Sequence, residues 1–296
     1  MNYKKLKELT GHSAGIYSLA FDGDFLYSGS ADGYVTRWNL ELGIQDKFAI
    51  RFNNPVYSIC LINENKSLAV GLSTGDLHIF ELESRLEVKY FTQHKKAIFA
   101  ISENPIKKQF YTADADGNLS VWNSETLELL IYLPLDCGKI RRLKTTSNGQ
   151  NFAIVSQDGF VRVFETTFFN EVSSFKAHEN GATSILFNPK NESQIITGGK
   201  DALLKIWEWK TAHLIQEIPA HNFVIYDIIS ISNGDYIATC SRDKSIKIWK
   251  SEDYSFQQKI DFKFAGHRHS VNCLFELNRN MFCSGSDDKR ILLWEN

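Results

Sequence analysis

The segment DGYVTRW at residues 32–38 alternates apolar and polar side chains and ends in tryptophan, and six related segments follow it. They are TGDLHIF at 74–80, DGNLSVW at 116–122, DGFVRVF at 158–164, DALLKIW at 201–207, DKSIKIW at 243–249 and DKRILLW at 288–294. Their last residues are separated by 42, 42, 42, 43, 42 and 45 positions. Because a fixed period of this length is the signature of a repeat architecture, the sequence predicts seven copies of one structural unit.

Each unit has the composition of a small antiparallel sheet. Its apolar residues alternate with polar ones and are rich in valine, isoleucine, phenylalanine and tyrosine, which is typical of strands. Turn pairs of the tight-hairpin type separate two such runs in four units: Asp32-Gly33, Gly75-Asp76, Asp116-Gly117 and Asp158-Gly159. A unit of this length has room for roughly four strands of about 5–6 residues, and no helical period is present.

A histidine preceded by glycine, alanine or glutamine recurs ahead of these runs. The pairs are Gly11-His12, Gln93-His94, Ala177-His178, Ala220-His221 and Gly266-His267. Together with the terminal aromatic residues, this pattern resembles the WD-repeat family of β-propellers over essentially the whole chain. No tryptophan is followed by aspartate; the next residues are Asn39, Asn123, Glu208, Lys250 and Glu295. The resemblance implies an all-β fold, a seven-bladed β-propeller of four-stranded antiparallel blades, in a single domain over residues 1–296.

The spacing between the two motifs predicts how the ring closes. In three units the next histidine follows the terminal aromatic residue by 14 positions, and counting 14 from Trp294 across the chain ends reaches His12. The N-terminal strand, residues 2–10, is therefore expected to complete the C-terminal blade, which removes an unpaired sheet edge. The corresponding step from Trp249 to His267 is 18, so residues 251–266 carry a four-residue insertion that we expect to protrude.

Five units share a histidine, a hydroxyl residue, an aspartate and a tryptophan. The sets are His12, Ser28, Asp32 and Trp38; His94, Thr112, Asp116 and Trp122; His178, Thr197, Asp201 and Trp207; His221, Thr239, Asp243 and Trp249; His267, Ser284, Asp288 and Trp294. One such set alone suggests a catalytic triad. Five equivalent sets around a ring do not make one catalytic centre, so we predict a structural hydrogen-bond network, as the resemblance also implies, and no catalytic residue.

The second and fourth units lack this set. The equivalent residues are Phe52, Val70, Thr74 and Phe80 in the second unit, and Asp136, Ile154, Asp158 and Phe164 in the fourth. Deleting one member of a buried network leaves its partner unsatisfied, whereas joint replacement is close to neutral. We expect Asp158 to act only as a turn residue.

Composition and the remaining motifs exclude several functions. The 33 basic and 35 acidic residues nearly cancel, whereas a bulk nucleic-acid binder is more basic. Five cysteines without a CxxC pair predict buried or free thiols, and the absence of a phosphate loop predicts no nucleotide cofactor. His78, His213 and His269 lack metal-ligand spacing, so we expect no metal and exposed side chains. The basic run Lys139–Lys144 is expected to be a solvated strand edge, and no apolar segment indicates a membrane span or leader, which favours a cytoplasmic location.

The resemblance places partner docking on the face that carries the Gly-His loops. The residues predicted to bind there are Tyr17, Tyr57, Phe99, Lys139, Arg141, Lys200, Tyr226 and Arg242. Aromatic and arginine side chains dominate binding hot spots, although these aromatic residues are also suited to packing between blades. The predicted function is a non-catalytic protein-interaction scaffold, a monomeric propeller within larger complexes. The alternatives are a reader of acidic or phosphorylated peptides or of single-stranded RNA, and an enzyme at the channel mouth.

Overall fold

The computed structural model describes residues 2–296, which form seven four-stranded antiparallel sheets arranged as the blades of a propeller. Blade 1 contains β2 (Ile16–Phe21), β3 (Phe25–Ser30), β4 (Tyr34–Asn39) and β5 (Ile44–Arg51). Blade 2 contains β6 (Val56–Ile62), β7 (Ser67–Leu72), β8 (Leu77–Glu81) and β9 (Leu86–Phe91). Blade 3 contains β10 (Ile98–Asn104), β11 (Gln109–Asp114), β12 (Asn118–Asn123) and β13 (Leu129–Pro134). Blade 4 contains β14 (Ile140–Thr145), β15 (Asn151–Ser156), β16 (Phe160–Glu165) and β17 (Glu171–Lys176).

The remaining blades continue in the same order. Blade 5 contains β18 (Ala182–Phe187), β19 (Gln194–Gly199), β20 (Leu203–Glu208) and β21 (His213–Pro219). Blade 6 contains β22 (Ile225–Ile231), β23 (Tyr236–Ser241), β24 (Ile246–Lys250) and β25 (Phe256–Ile260). Blade 7 contains β26 (Val271–Asn278), β27 (Met281–Ser286), β28 (Arg290–Glu295) and β1 (Lys4–Thr10). The sequence prediction of an all-β, seven-bladed propeller is confirmed.

The apolar core lies between neighbouring blades. The first strand of each blade contacts the first strands of its two neighbours, so these seven strands surround a central channel. The middle strands are buried on both faces, whereas the outermost strands are largely exposed. One cluster, for example, joins Ile248 of blade 6 to Leu274, Phe282 and Trp294 of blade 7. Burying apolar surface between sheets is therefore the main stabilisation of each blade-to-blade contact.

The ring is closed by the N-terminal strand, as predicted. Strand β1 pairs with β28 in antiparallel register from Lys4 opposite Glu295 to Thr10 opposite Arg290. Tyr3, just before β1, is buried, and its hydroxyl lies 2.9 Å from Oγ of Ser232 in blade 6. Pairing with β1 satisfies the backbone groups along the edge of β28, and the Tyr3 contact attaches the N-terminal segment to blade 6 as well.

The predicted insertion forms an exposed turn between blades 6 and 7. It contains a single turn of 3-10 helix, Phe262–Phe264, whose two phenylalanine side chains are 60% and 65% exposed. Within residues 2–296 there is no helix long and apolar enough to cross a membrane. All five cysteines are free thiols, and four of them are buried.

Candidate interaction site at the channel mouth

Blade 1 shows how the four-residue network is assembled. The loop between β1 and β2 places Nδ1 of His12 2.9 Å from Oδ2 of Asp32, and Nε2 lies 2.8 Å from Oγ of Ser28. The indole N–H of Trp38 donates to the same hydroxyl at 2.8 Å. Because an ionised carboxylate only accepts, the imidazole carries its proton on Nδ1, and Nε2 accepts from the serine hydroxyl. The network therefore ties the loop to two strands of the sheet.

Blades 5, 6 and 7 repeat this geometry. The His–Asp, His–hydroxyl and Trp–hydroxyl distances are 2.9, 2.9 and 3.1 Å for His178, Asp201, Thr197 and Trp207; 3.0, 2.8 and 3.0 Å for His221, Asp243, Thr239 and Trp249; and 3.0, 2.8 and 2.8 Å for His267, Asp288, Ser284 and Trp294. Each histidine is buried. Repeated buried sets of this kind hold loops in place and present no single nucleophile to a substrate.

Burial and hydrogen bonding oppose each other in these networks. Burial lowers the pKa of His12 and of His221, although the partner carboxylates favour the charged imidazole. Burial alone would raise the pKa of Asp243, but the hydrogen bond and charge of His221 hold it well below its usual range. The aspartates are therefore ionised acceptors at neutral pH.

Blade 3 departs from the predicted set. Nδ1 of His94 lies 2.8 Å from Oδ2 of Asp114, so the prediction that Asp116 accepts this bond was wrong. Asp114 also accepts the backbone N–H groups of Asp116 and Asn118, each at 2.9 Å. It thus replaces the turn aspartate both as imidazole partner and as turn cap, and Asp116 is exposed. The other contacts keep the expected geometry, with Thr112 2.8 Å from Nε2 of His94 and Trp122 2.9 Å from Thr112.

Blades 2 and 4 fill the same space differently. In blade 2 the Phe52 ring packs 6.1 Å from Phe80 and 4.9 Å from His78. His78 was expected to be exposed, but its side chain is only 15% exposed and bonds to Glu87 at 2.7 Å. In blade 4 Asp158 caps the turn, as expected, and in addition forms an ion pair with Arg162.

Six of the eight predicted binding residues meet in one pocket of about 370 Å³ at a mouth of the central channel. They are Tyr17, Tyr57, Phe99, Lys139, Arg141 and Tyr226. The other two, Lys200 and Arg242, are exposed and do not line the pocket. The residues come together because each occupies the entrance of an innermost strand, and the seven innermost strands surround the channel.

The aromatic residues of the pocket form a row across blades 1 to 3. The rings of Tyr17 and Tyr57 are 5.3 Å apart in an edge arrangement, and those of Tyr57 and Phe99 are stacked 5.0 Å apart. The row ends at two cations, since the guanidinium of Arg141 lies 4.7 Å and the ammonium of Lys139 4.9 Å from the Phe99 ring. The aromatic residues thus pack on one another and still line the pocket.

These cations lack an acidic partner. Within residues 2–296 no carboxylate lies within 4.0 Å of Lys139, Arg141, Lys200 or Arg242, since none of them occurs in an ion pair. Burial and the like charge of Arg142 lower the pKa of Arg141, and burial with the charges of Arg141 and Lys200 lowers the pKa of Lys139. Uncompensated positive charge therefore accumulates on one wall of the pocket.

An ion pair between two innermost strands borders the pocket. Nε of Arg142 on β14 lies 3.3 Å from Oδ1 of Asp227 on β22, and the guanidinium also donates to the backbone of Asn272. The expectation that Lys139–Lys144 is a solvated strand edge was wrong, because β14 is the innermost strand of blade 4. Arg142 also lines a second cavity, which Asp227 lines as well.

Arg142, Asp227 and Asp287 were not among the residues predicted for the site. The first two occupy one repeat position that holds small residues elsewhere, namely Ser18, Ser58, Ala100, Ser184 and Cys273. Opposite charges at that position are a detectable signal of a pair across the ring. Asp287 lines the pocket and accepts from Asn272 at 2.7 Å. It precedes the network aspartate of its blade, as Lys200 and Arg242 do, so it occupies the repeat position of two predicted binding residues.

The pocket does not resemble a metal centre. Within the described residues there is no group of three or more histidine, cysteine, aspartate or glutamate side chains placed to hold a metal ion. What the pocket offers is an aromatic row, unpaired cations on one wall and a carboxylate, Asp287, near Tyr17 and Tyr226.

Similar proteins share parts of this chain. It is 34% identical over 126 residues to nuclear distribution protein nudF 1 of Talaromyces marneffei, covering 41% of this chain and 26% of that protein. It is 26% identical over 305 positions to protein tipD of Dictyostelium discoideum, covering 99% and 49%. It is 25% identical over 265 positions to pre-mRNA-processing factor 17 of Homo sapiens, covering 82% and 44%. The chain thus spans about a quarter to a half of the length of these relatives.

The family model of the WD domain, G-beta repeat, matches residues 3–39, 86–123, 169–208, 212–250 and 258–295. These matches cover the five units that contain the histidine network and omit the units with Phe80 and Phe164, which nevertheless form blades 2 and 4. With more than half of the chain matched and seven blades present, the chain belongs to the WD-repeat family.

Proposed function

We propose that this protein is a non-catalytic interaction scaffold that binds partner proteins at the channel mouth. Members of its family are typically interaction scaffolds or components of complexes and are generally non-catalytic. The observation that carries the proposal is the pocket that joins the row Tyr17, Tyr57 and Phe99 to Lys139 and Arg141. We expect the propeller to act as a monomer within larger assemblies, and a cytoplasmic location stays a prediction.

The chemistry of the pocket suits a protein partner. Tyrosine and arginine bring a large contact area together with a polar group, which is why they dominate binding hot spots. The row is partly buried in the free protein and its rings support one another, so little side-chain entropy is lost on binding. The pocket also contains Arg142, whose charge is compensated by Asp227.

The unpaired cations favour a second, more specific candidate, a reader of acidic or phosphorylated segments. Arginine binds carboxylate and phosphate through paired N–H groups, and such charge-assisted bonds are about twice as strong as neutral ones. An anion placed between Arg141 and Lys139 would offset the positive charge that, together with burial, lowers their pKa values.

The proposal is tested by affinity capture from native lysate with the double variant Tyr17→Ala/Arg141→Ala. We expect the partners captured by the wild-type protein to be lost, while the melting temperature changes little, because both side chains line the pocket and neither belongs to a hydrogen-bond network. The matched control is Tyr132→Ala/Lys47→Ala, which removes an exposed aromatic residue and a cation from outer strands. Full capture by the channel-mouth variant would exclude this face.

Two further affinity captures test the second candidate, a reader of acidic or phosphorylated segments. Phosphatase treatment of the lysate removes phosphorylated ligands, and Arg141→Gln removes the charge that any anion needs. Loss in both experiments supports a phosphorylated segment, and loss with Arg141→Gln alone supports a carboxylate. Capture that survives both treatments contradicts the reader function and leaves the scaffold proposal intact.

A further inference from the structure

Blade 6 differs from blade 5 in the charges of its two outer strands. In blade 5, Lys205 on β20 lies opposite Glu217 on β21, with Nζ 3.0 Å from Oε2. At the same repeat position in blade 6, Lys247 on β24 lies opposite Lys259 on β25. Opposite charges across a strand pair stabilise a sheet, and like charges that face each other destabilise it.

A third cation at this position confirms that blade 6 is the exception. Arg162 of blade 4 stands two residues before the terminal aromatic, as Lys205 and Lys247 do, and it forms ion pairs with Asp158 and Glu171. Blade 6 has no carboxylate on β25 to play that part, since this strand reads FQQKI. The ammonium of Lys247 donates instead to the backbone carbonyl of Ala220.

The excess charge is only partly neutralised. Lys259 is paired with Asp261 at 2.9 Å and remains 45% exposed. Burial lowers the pKa of Lys247, the nearby carboxylate of Asp243 opposes that shift, and the like charge of Lys259 adds to it. The fold thus retains a repulsion that one carboxylate, as in blade 5, would remove.

Exposed aromatic residues are concentrated around the same blade. Four of the five exposed phenylalanines in the described chain lie within residues 223–264. Two of them, Phe262 and Phe264, stand on the turn that directly follows β25. Exposed aromatic residues grouped beside surplus charge typically mark an interaction surface.

The turn that carries these rings is ordered by its own hydrogen bonds. Asp261 accepts from the backbone N–H of Lys263 at 3.0 Å with its side chain, and from those of Phe264 and Gly266 at 2.9 Å with its carbonyl. Ala265 closes the turn at a φ of 60°, a conformation that residues other than glycine rarely adopt. The two rings are therefore held outward in a defined geometry, which lowers the entropy lost on binding.

We propose that Lys247, Lys259, Phe262 and Phe264 form a second docking surface, the blade 6 surface, for an acidic segment of a partner protein. Carboxylates of the segment take the place that Glu217 has in blade 5, and its apolar side chains cover the two phenylalanine rings. The charge complementarity identifies the partner as acidic, and the aromatic rings require apolar side chains in it.

The arrangement fits a polypeptide better than a lipid surface. The lysines lie along the outer strands, whereas the phenylalanines lie on the turn beyond the end of β25. If the turn inserted into a flat bilayer, the lysines along the strands would lie away from the bilayer surface. An extended or helical segment can contact the lysines and the phenylalanines together.

The central test uses Lys259→Glu, which gives blade 6 the arrangement of blade 5. We expect the melting temperature to rise by about 1–3 °C, because the ion pair gained with the less exposed Lys247 outweighs the loss of the exposed pair between Lys259 and Asp261, and binding of acidic peptides to weaken at least about tenfold. The reverse change in blade 5, Glu217→Lys, is the matched control and is expected to lower the melting temperature without altering binding. A lower melting temperature for Lys259→Glu would show that this lysine serves the fold and would overturn the proposal.

The probes are short peptides selected by phage display from a random library on the Tyr17→Ala/Arg141→Ala protein, in which the channel mouth is disabled. We expect selected sequences rich in aspartate or glutamate with aromatic or aliphatic residues. Their synthetic, fluorescein-labelled forms should lose at least about tenfold in affinity to Lys259→Glu and to Phe262→Ser/Phe264→Ser, measured by anisotropy.

Three further outcomes would overturn the proposal: selection of no peptide or of neutral and basic peptides, unchanged affinity for both variants, or binding to phosphatidylserine-containing vesicles that depends on Phe262 and Phe264. Because the selection uses the channel-mouth variant, failure of the blade 6 surface is distinguishable from failure of the proposed function.

Discussion

Blades 1 and 2 have the same backbone and opposite chemistry in their loop attachments. In blade 1 a buried histidine, His12, is held by Asp32 and Ser28 through hydrogen bonds of 2.8–2.9 Å. In blade 2 the same space is filled by Phe52 and Phe80, whose rings pack edge to face. A fully satisfied network and a fully apolar contact both hold the loop, and an intermediate between them leaves buried polar groups without partners. Blade 2 therefore lacks the histidine, the serine, the aspartate and the tryptophan of the network together.

The largest effect is expected in the most buried network. Asp114→Ala should lower the free energy of unfolding by about 3 kcal/mol, because it removes the partner of buried His94 and the cap of the following turn. Urea denaturation followed by tryptophan fluorescence measures this loss. The control is Asp116→Ala, which should change stability by less than about 0.5 kcal/mol because Asp116 is exposed. A comparable loss in both variants would return the role to Asp116.

A smaller loss of stability is expected from replacing the turn aspartate of blade 6, which has a histidine network, or of blade 4, which has no imidazole. Asp243→Ala should cost about 2 kcal/mol, since Asp243 is buried and accepts from His221 and from the backbone of Asn222. Asp158→Ala should cost about 1 kcal/mol, because Asp158 is 30% exposed and its partner Arg162 lies near Glu171 as well. Melting temperatures of the two variants test the order, and equal shifts would contradict the structural distinction between blades 4 and 6.

The sequence was sufficient for the fold because the repeat imposes the same local rules seven times. The fixed period predicted the blades, and the 14-residue step from Trp294 to His12 predicted ring closure by β1. The repeat pattern predicted the wrong acceptor in blade 3, where an aspartate two residues earlier in the chain bonds to the histidine. Asp114 precedes the turn position of Asp116, and both are aspartates, so spacing alone favoured the wrong one.

The candidate site was predicted in part. The entrance positions of the innermost strands identified Tyr17 and Arg141 because the repeat fixes where each strand begins. Contacts across the ring depend on which blades face each other, and these are not local in sequence. The pair of Arg142 and Asp227, 85 residues apart, shows in the sequence only as opposite charges at one repeat position, so the contact itself required the closed ring.

The apolar solution of blade 2 is tested by a single polar substitution. Phe52→His should lower the free energy of unfolding by about 1–2 kcal/mol, because the partly buried Phe52 packs against Phe80, and Val70 and Phe80 give an imidazole at this position neither donor nor acceptor. A fourfold variant, Phe52→His/Val70→Ser/Thr74→Asp/Phe80→Trp, introduces the histidine, serine, aspartate and tryptophan of the blade 1 set together. We expect it to recover most of the loss in urea denaturation. Wild-type stability for the single variant would show that this space admits polar groups without a network.

The smallest expected effect is a pH dependence of the free energy of unfolding. The blades with a histidine network confer it, and blade 2, which has no such network, does not. Because burial lowers the pKa of His12 and His221, the folded state binds fewer protons than the unfolded state below about pH 6.5. Stability should therefore fall as the pH drops through that value, and the ionised Asp32 and Asp243 should add a further loss below about pH 4. The urea midpoint at a series of pH values measures this slope. His221→Gln should make it shallower, Phe52→Leu should leave it unchanged, and identical slopes for wild type and His221→Gln would show that this buried imidazole does not govern the acid sensitivity of the propeller.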